Sequence, residues 1–155
     1  SDNRDRTALM RAYKLFRRND ELAPFIEAVK TFYASVPFQW ERDNKNEHFY
    51  HAMLYTLLTA FGADVRAEEP TAKGSSDMTL LMPKGVYVIE VKYERQRVGE
   101  HSPGIHIAQE ALDQISQKGY ARKYLHDGRP VTKVGIAFSS EERNITEWRA
   151  EPVCG

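Results

Sequence analysis

Two carboxylates and an ammonium stand close together in the middle of this chain: Asp77, Glu90 and Lys92. Asp77 opens a short apolar run, Met78 to Met82, and Glu90 and Lys92 end a second run that begins at Val86. Pro83-Lys84-Gly85 lies between the runs, a hairpin signal of two strand-like segments joined by turn residues. Side chains alternate along a strand, so Glu90 and Lys92 share one face and Val91 takes the other. An Asp on one strand and a Glu-x-Lys on the next can converge on one point. Mg²⁺ suits such a pair: it prefers oxygen donors and is often held by one or two carboxylates, with water and substrate phosphate completing its shell. A metal so placed acidifies a bound water and neutralises phosphate charge, and a neighbouring lysine orients the water or stabilises the developing anion. The competing reading is plain: two exposed charges on a solvated strand face, and an Asp serving as a turn residue.

The elements around the hairpin decide between these readings. Residues 1–40 read as two helical segments. Leu9, Tyr13 and Phe16 keep helical spacing in the first, and Leu22, Phe25, Ile26, Val29, Phe32 and Tyr33 in the second. Trp40 is expected to anchor the connector that follows. A third helix is expected over Glu47 to Phe61, capped by Asn46, with Tyr50, Met53, Leu54, Leu57, Leu58 and Phe61 as its buried stripe. Glu47 continues that stripe, either compensating the helix dipole in the first turn or completing a site. Ala63 to Glu69 reads as a strand and Pro70 to Ser76 as a loop. A long helix is expected over Ile105 to Leu125, with Gln114 and Lys118 one turn apart on the edge of its apolar side and Tyr120 after them. Val131 to Phe138 and Ile145 to Arg149 read as strands, the second an edge strand carrying Trp148. Helices alternating with a small mixed sheet make an α/β domain.

Composition limits the functional classes. A chain of 155 residues suits one domain, and 41% hydrophobic with 28% charged residues is an ordinary globular balance. Twenty-two basic residues offset twenty-two acidic ones, so a polyanion would have to be held by local charge rather than by a global field. The single cysteine, Cys154, excludes internal disulfides and zinc clusters and fits a reducing compartment such as the cytoplasm. No apolar stretch reaches membrane-spanning length and no signal peptide is evident. The missing initiator Met is expected of a processed chain or a piece of a longer one.

A helix bearing Glu47, then Gly74-x-x-Asp77, then Glu90-x-Lys92, then a helix bearing Gln114 and Tyr120, resembles the PD-(D/E)xK nuclease superfamily. More narrowly, residues 46–150 resemble the nuclease-like domain at the C-terminus of bacterial AAA-type ATPase-like proteins. The phrases NEHFYHAMLYTLLTAFGADV, SDMTLLMPKGVYVIEVKY and ALDQISQKGYARKY carry the match. The resemblance implies a restriction-endonuclease-like core of order αβββαβ over residues 41–155, preceded by a helical arm over 1–40. It implies Mg²⁺ or Mn²⁺ held by Asp77 and Glu90, with Glu47 completing the metal or water site. Lys92 would act on the attacking water, and Gln114 and Tyr120 would line the cleft. The implied substrate is nucleic acid, DNA above all, and the implied neighbour is an AAA-type ATPase domain in the same polypeptide. Phosphate contacts are expected from Lys73, Arg95 and Arg97 beside the metal and from Lys118, Arg122 and Lys123 on the long helix over 105–125. Their small number would leave binding to be strengthened by the ATPase neighbour or by a second subunit in a homodimer. Two positions depart from the family pattern: Ser76 precedes Asp77 in place of proline, and Ser75 follows Gly74 where relatives often carry arginine. The alternative function is a non-catalytic module that keeps the fold and binds nucleic acid or a partner.

Overall fold

Helix α1 covers Asp2–Asn19, α2 covers Leu22–Ala34 and α3 covers Phe49–Ala60. Strands β1 (Asp64–Ala67), β2 (Ser75–Met82) and β3 (Gly85–Glu94) follow. Helix α4 (Gly104–Lys118), a 3-10 helix (Tyr120–Asp127), β4 (Val131–Ser139) and β5 (Asn144–Pro152) complete the order. This computed structural model describes residues 2–37, 39, 49–67, 75–94 and 104–154. Trp40, Asn46, Glu47, Lys73, Arg95 and Arg97 lie outside the described residues.

The five strands stand side by side in sequence order. All neighbours are antiparallel except β3 and β4, which run parallel and are joined through α4. The result is the expected α/β, restriction-endonuclease-like arrangement with its N-terminal helical arm. A parallel pair needs a crossover connection, and α4 supplies it while covering one face of the sheet.

Period-two alternation in β3 sorts the molecule into two layers of packing. Tyr87, Ile89 and Tyr93 join Leu9, Phe16, Phe25, Tyr50 and Leu58 of the N-terminal helices in one core, with Met78, Leu80 and Met82 of β2. Val86 and Val88 point the other way and pack with Leu112 and Ile115 of α4, Ala121 and Tyr124 of the 3-10 helix, and Val131. The helical arm is therefore part of the main core, and each large side chain it buries contributes about 1.5–3 kcal/mol. Polar ties reinforce it. The Tyr33 hydroxyl donates to the Tyr50 carbonyl at 3.1 Å, and that of Tyr87 donates to Asp20 Oδ1 at 2.5 Å. Burial raises the pKa of both phenols, and the Asp20 carboxylate adds to the effect at Tyr87.

The helix expected over 105–125 is instead two pieces. Gly119 sits at φ 69, a left-handed conformation that suits glycine and stops α4. The apolar periodicity continues across the break because the 3-10 helix buries Ala121 and Tyr124 on the same side. The strands are longer than their apolar runs. Ser75 and Ser76, expected in the loop before the strand, are already paired to β3, and β5 extends from Asn144 to Pro152. At the turn before β4, Arg129 donates to both Asp127 carboxylate oxygens and, at 2.8 Å, to the Met82 carbonyl, which fastens the β2–β3 hairpin.

Gly135 of β4 sets how closely α4 can approach the sheet. A Cβ at this position would lie 2.3 Å from the Ala108 carbonyl oxygen and 3.0 Å from Leu112 Cγ. Both obstacles belong to α4, and one is backbone, so a side chain here would lift the helix. Gly135→Ala is expected to lower stability by about 1–3 kcal/mol, the usual range for overpacking. Urea unfolding of the two proteins measures this; an unchanged midpoint would show that α4 is not seated on Gly135.

Candidate functional site

Asp77 and Glu90 are direct cross-strand partners in the β2–β3 ladder. Directly opposite positions of an antiparallel pair share a face, so the register puts these two positions together on the side covered by α4. Ser75 is opposite Lys92 on that same face. On its other side Glu90 neighbours Gly135. Carboxylate positions two strands wide, with a lysine one repeat further along β3, thus lie beneath a single helix.

Glu90 is fully buried, the only acidic residue so placed among the described residues. A buried carboxylate needs a compensating charge, because burial without one costs several kcal/mol. Here Lys118 at the end of α4 reaches across: its Nζ lies 2.9 Å from Glu90 Oε1 and it is itself only 22% exposed. Lys92 points at the same helix but takes a different partner, Glu110 Oε2 at 2.6 Å. The pairs cross between strand and helix: an acid and a base of β3 meet a base and an acid of α4.

Glu110, Gln114 and Lys118 recur every four residues and so form one stripe along α4. Gln114 is the middle member. Its Oε1 is buried and has no hydrogen-bond partner among the described residues, an acceptor turned inward over a polar strip. Tyr120 begins the 3-10 helix, half-buried, with the Lys118 ammonium 5.9 Å from its ring centroid. Glu110 was not foreseen from the sequence. The signal for it is its four-residue spacing from Gln114, with Lys118 four further on.

The residues expected to contact phosphate divide into groups. Lys73, Arg95 and Arg97 lie outside the described residues, as does Glu47, which precedes a helix that packs on the opposite face of the sheet. Lys118 is turned to Glu90. Outside that set, Lys133 of β4 holds Ser116 Oγ at 2.8 Å and Glu151 at 3.5 Å. Arg129 is held by Asp127. Arg122 and Lys123 are exposed. His51 is half-buried and lines a small apolar cavity of about 30 Å³ with Tyr33 and Tyr50.

The chemistry of Asp77 and Glu90 fits a hard divalent ion. Two carboxylate positions face each other, and hard-ion sites of this kind take the rest of their shell from water and substrate. Gln114 Oε1 adds a buried acceptor for a bound water. Among the described residues no cluster of three His, Cys, Asp or Glu side chains offers an alternative centre. Nor is any described helix long and apolar enough to cross a membrane.

Comparison with known proteins agrees with this geometry. The chain is 36% identical over 143 residues to a protein described as an uncharacterized protein in the vnfD 5' region of Azotobacter chroococcum mcd 1. The match covers 90% of this chain and 26% of that protein, so the chain spans about a quarter of the length of its curated relative. No solved structure matches. The family model of the PD-(D/E)XK nuclease superfamily matches residues 45–148, from just before α3 to Trp148 of β5. With both hairpin carboxylates, the lysine and the helix that covers them inside that match, the chain belongs to the PD-(D/E)XK nuclease superfamily.

Proposed function

We propose that this domain hydrolyses phosphodiester bonds, with DNA as substrate and Mg²⁺ or Mn²⁺ as cofactor. The observation that carries the reading is the register: Asp77 opposite Glu90, with Lys92 one repeat away on the same face. Asp77 and Glu90 would hold the ion, and Glu47 would complete the metal or water site. When bound, the ion would acidify a water and offset charge on the phosphate. Lys92, anchored by Glu110, would aim an N–H at the attacking water or at a phosphate oxygen and steady the charge that builds there. Gln114 would accept from that water, and Tyr120 would line the cleft beside it. Lys73, Arg95, Arg97 and Lys118 would contact the DNA backbone. The domain would work in the cytoplasm, attached to an AAA-type ATPase domain in the same polypeptide. The wider context of such a chain would supply DNA affinity, as would a homodimer.

A second reading has its own support. Glu90 and Lys92 are each already paired with α4, which compensates both charges without any ion. That arrangement suits a non-catalytic module that keeps the fold to bind nucleic acid or a partner.

Cleavage of supercoiled plasmid and of single-stranded DNA in Mn²⁺ separates the two. The nuclease reading expects Mn²⁺-dependent cutting that Asp77→Ala abolishes together with metal binding. Lys92→Ala should slow cutting by about 10²–10⁴-fold, the range for a positioned acid or base, with metal binding and melting temperature close to wild type. Equal cutting by wild type and Lys92→Ala would remove the lysine from the chemistry. DNA binding without cutting, indifferent to Asp77→Ala, would favour the second reading.

Affinity should be strongly salt-dependent, because phosphate neutralisation supplies it and the net charge supplies none. If Arg95 and Arg97 each touch a phosphate, the double substitution Arg95→Ala with Arg97→Ala reduces the slope of log affinity against log salt by about two units. All DNA sequences should weaken about equally. An unchanged slope would place these arginines outside the interface.

A further inference from the structure

Glu90 must be charged to hold a metal, and it lies where charge is costly. Its side chain is 0% exposed, yet an ammonium sits 2.9 Å from Oε1. That ammonium does not come from Lys92, two residues along the same strand face, which is bonded to Glu110 at 2.6 Å. It comes from Lys118, across the interface on the last turn of α4. Lys118 therefore stands beside the carboxylate oxygen that a cation would use.

We infer that Lys118 is an internal counter-ion for Glu90, holding the carboxylate in the metal-free protein and giving way when a divalent cation binds. The inference rests on the proposed reading of Asp77 and Glu90 as metal ligands. An ammonium and a divalent ion beside one carboxylate oxygen repel each other and compete for the same lone pairs, so occupancy by one opposes the other. The released side chain has somewhere to go. Gln114 Oε1, one helical turn earlier, is a buried acceptor with no partner among the described residues. The Tyr120 ring lies 5.9 Å from the ammonium and offers a π face. Of the two, Tyr120 is half-buried, so a lysine resting on its ring keeps the positive charge where an arriving phosphate would meet it. Metal loading and the exposure of a phosphate-binding lysine are then one event. The site assembles its positive charge only after the ion is in place, and the buried carboxylate is compensated throughout.

The test compares wild type with Lys118→Met and Lys118→Arg by titration calorimetry with Mn²⁺ and by thermal melting with and without it. Lys118→Met removes the competitor and strands the carboxylate. It should melt lower without metal, since losing one partner of a buried pair is destabilising. It should also bind Mn²⁺ about tenfold more tightly, and gain more in melting temperature from Mn²⁺ than wild type does. Lys118→Arg keeps a cation beside Glu90 and should restore metal-free melting and wild-type affinity. A merely structural lysine would lower stability in the Met variant but would not raise metal affinity. If Lys118→Met binds Mn²⁺ no more tightly than wild type, while Asp77→Ala abolishes binding, the metal site stands and the counter-ion inference is overturned. If wild type shows no Mn²⁺ binding that depends on Asp77, the metal reading fails and the inference falls with it. Should Lys118→Met not fold, nitrogen-detected lysine NMR of the wild-type protein gives the same answer. One ammonium protected from solvent exchange should lose that protection as Mn²⁺'s diamagnetic substitute, Mg²⁺, is added, and persistence of the protection would overturn the inference.

Discussion

The arrangement of this domain depends on compensating one fully buried carboxylate beneath a closely packed helix. Glu90 occupies a central position of the middle strand, and the helix above it is packed close enough to exclude water. That closeness has a specific cause: β4 carries glycine at the position beside Glu90, so the α4 backbone descends onto the sheet. Closeness then creates the electrostatic demand. A carboxylate under a tightly seated helix needs a cation from that helix, and α4 supplies it from its last turn. Gly135 and Lys118 thus answer the two halves of a single constraint, one steric and one electrostatic.

The two faces of the sheet divide the work. The arm side is a thick aromatic core in which Tyr33, Tyr50, Tyr93 and Phe138 meet at mutual angles, and aromatic pairs of this kind add to area burial. It holds β3 firmly from below. The α4 side is apolar near the hairpin turn, at Val86 and Val88, and becomes polar towards the far end, at Glu90 and Lys92. The gradient along a single strand face lets one helix do both jobs: Leu112 and Ile115 pack, while Glu110 and Lys118 meet charged partners on β3. An edge-to-edge rotation of α4 by even part of a turn would exchange these roles, so the apolar half fixes the registration of the polar half.

Much of this was legible in the sequence because it depends on period. The hairpin, the alternation in β3 and the apolar stripe of α3 are local patterns, and they place Asp77, Glu90 and Lys92 correctly on neighbouring strands. The strand register was not legible in detail. Ser75 and Ser76 have no apolar signature, yet they pair with β3 because the ladder is hydrogen-bonded through backbone groups that carry no residue identity. The break at Gly119 was missed because apolar periodicity survives it, while the left-handed turn depends on a single glycine among several. The crossed ion pairs were also hidden. The four-residue spacing of Glu110, Gln114 and Lys118 marks one helix stripe, but it does not show what that stripe meets. The partners of Glu110 and Lys118 come from a strand at least eighteen residues away in the chain, and only packing shows which helix face meets it.

Net charge looks different once these pairs are counted. Equal numbers of acids and bases suggest a protein with little to offer a polyanion. Yet several of the bases are engaged inside the fold: Lys118 with Glu90, Lys92 with Glu110, Lys133 with Glu151 and Arg129 with Asp127. Such pairs neutralise one another at short range and contribute little field at the surface. What a phosphate would sense is the remainder, and that remainder changes when a pair is opened. On the proposed reading, a divalent ion at Asp77 and Glu90 would add two positive charges and would free the ammonium that Lys118 holds against Glu90. The net local charge would rise by the ion's two charges, and the lysine already present would be redirected from the carboxylate toward a phosphate. On that reading overall neutrality would be no obstacle to binding a polyanion, because it would describe a state in which these charges are occupied with each other.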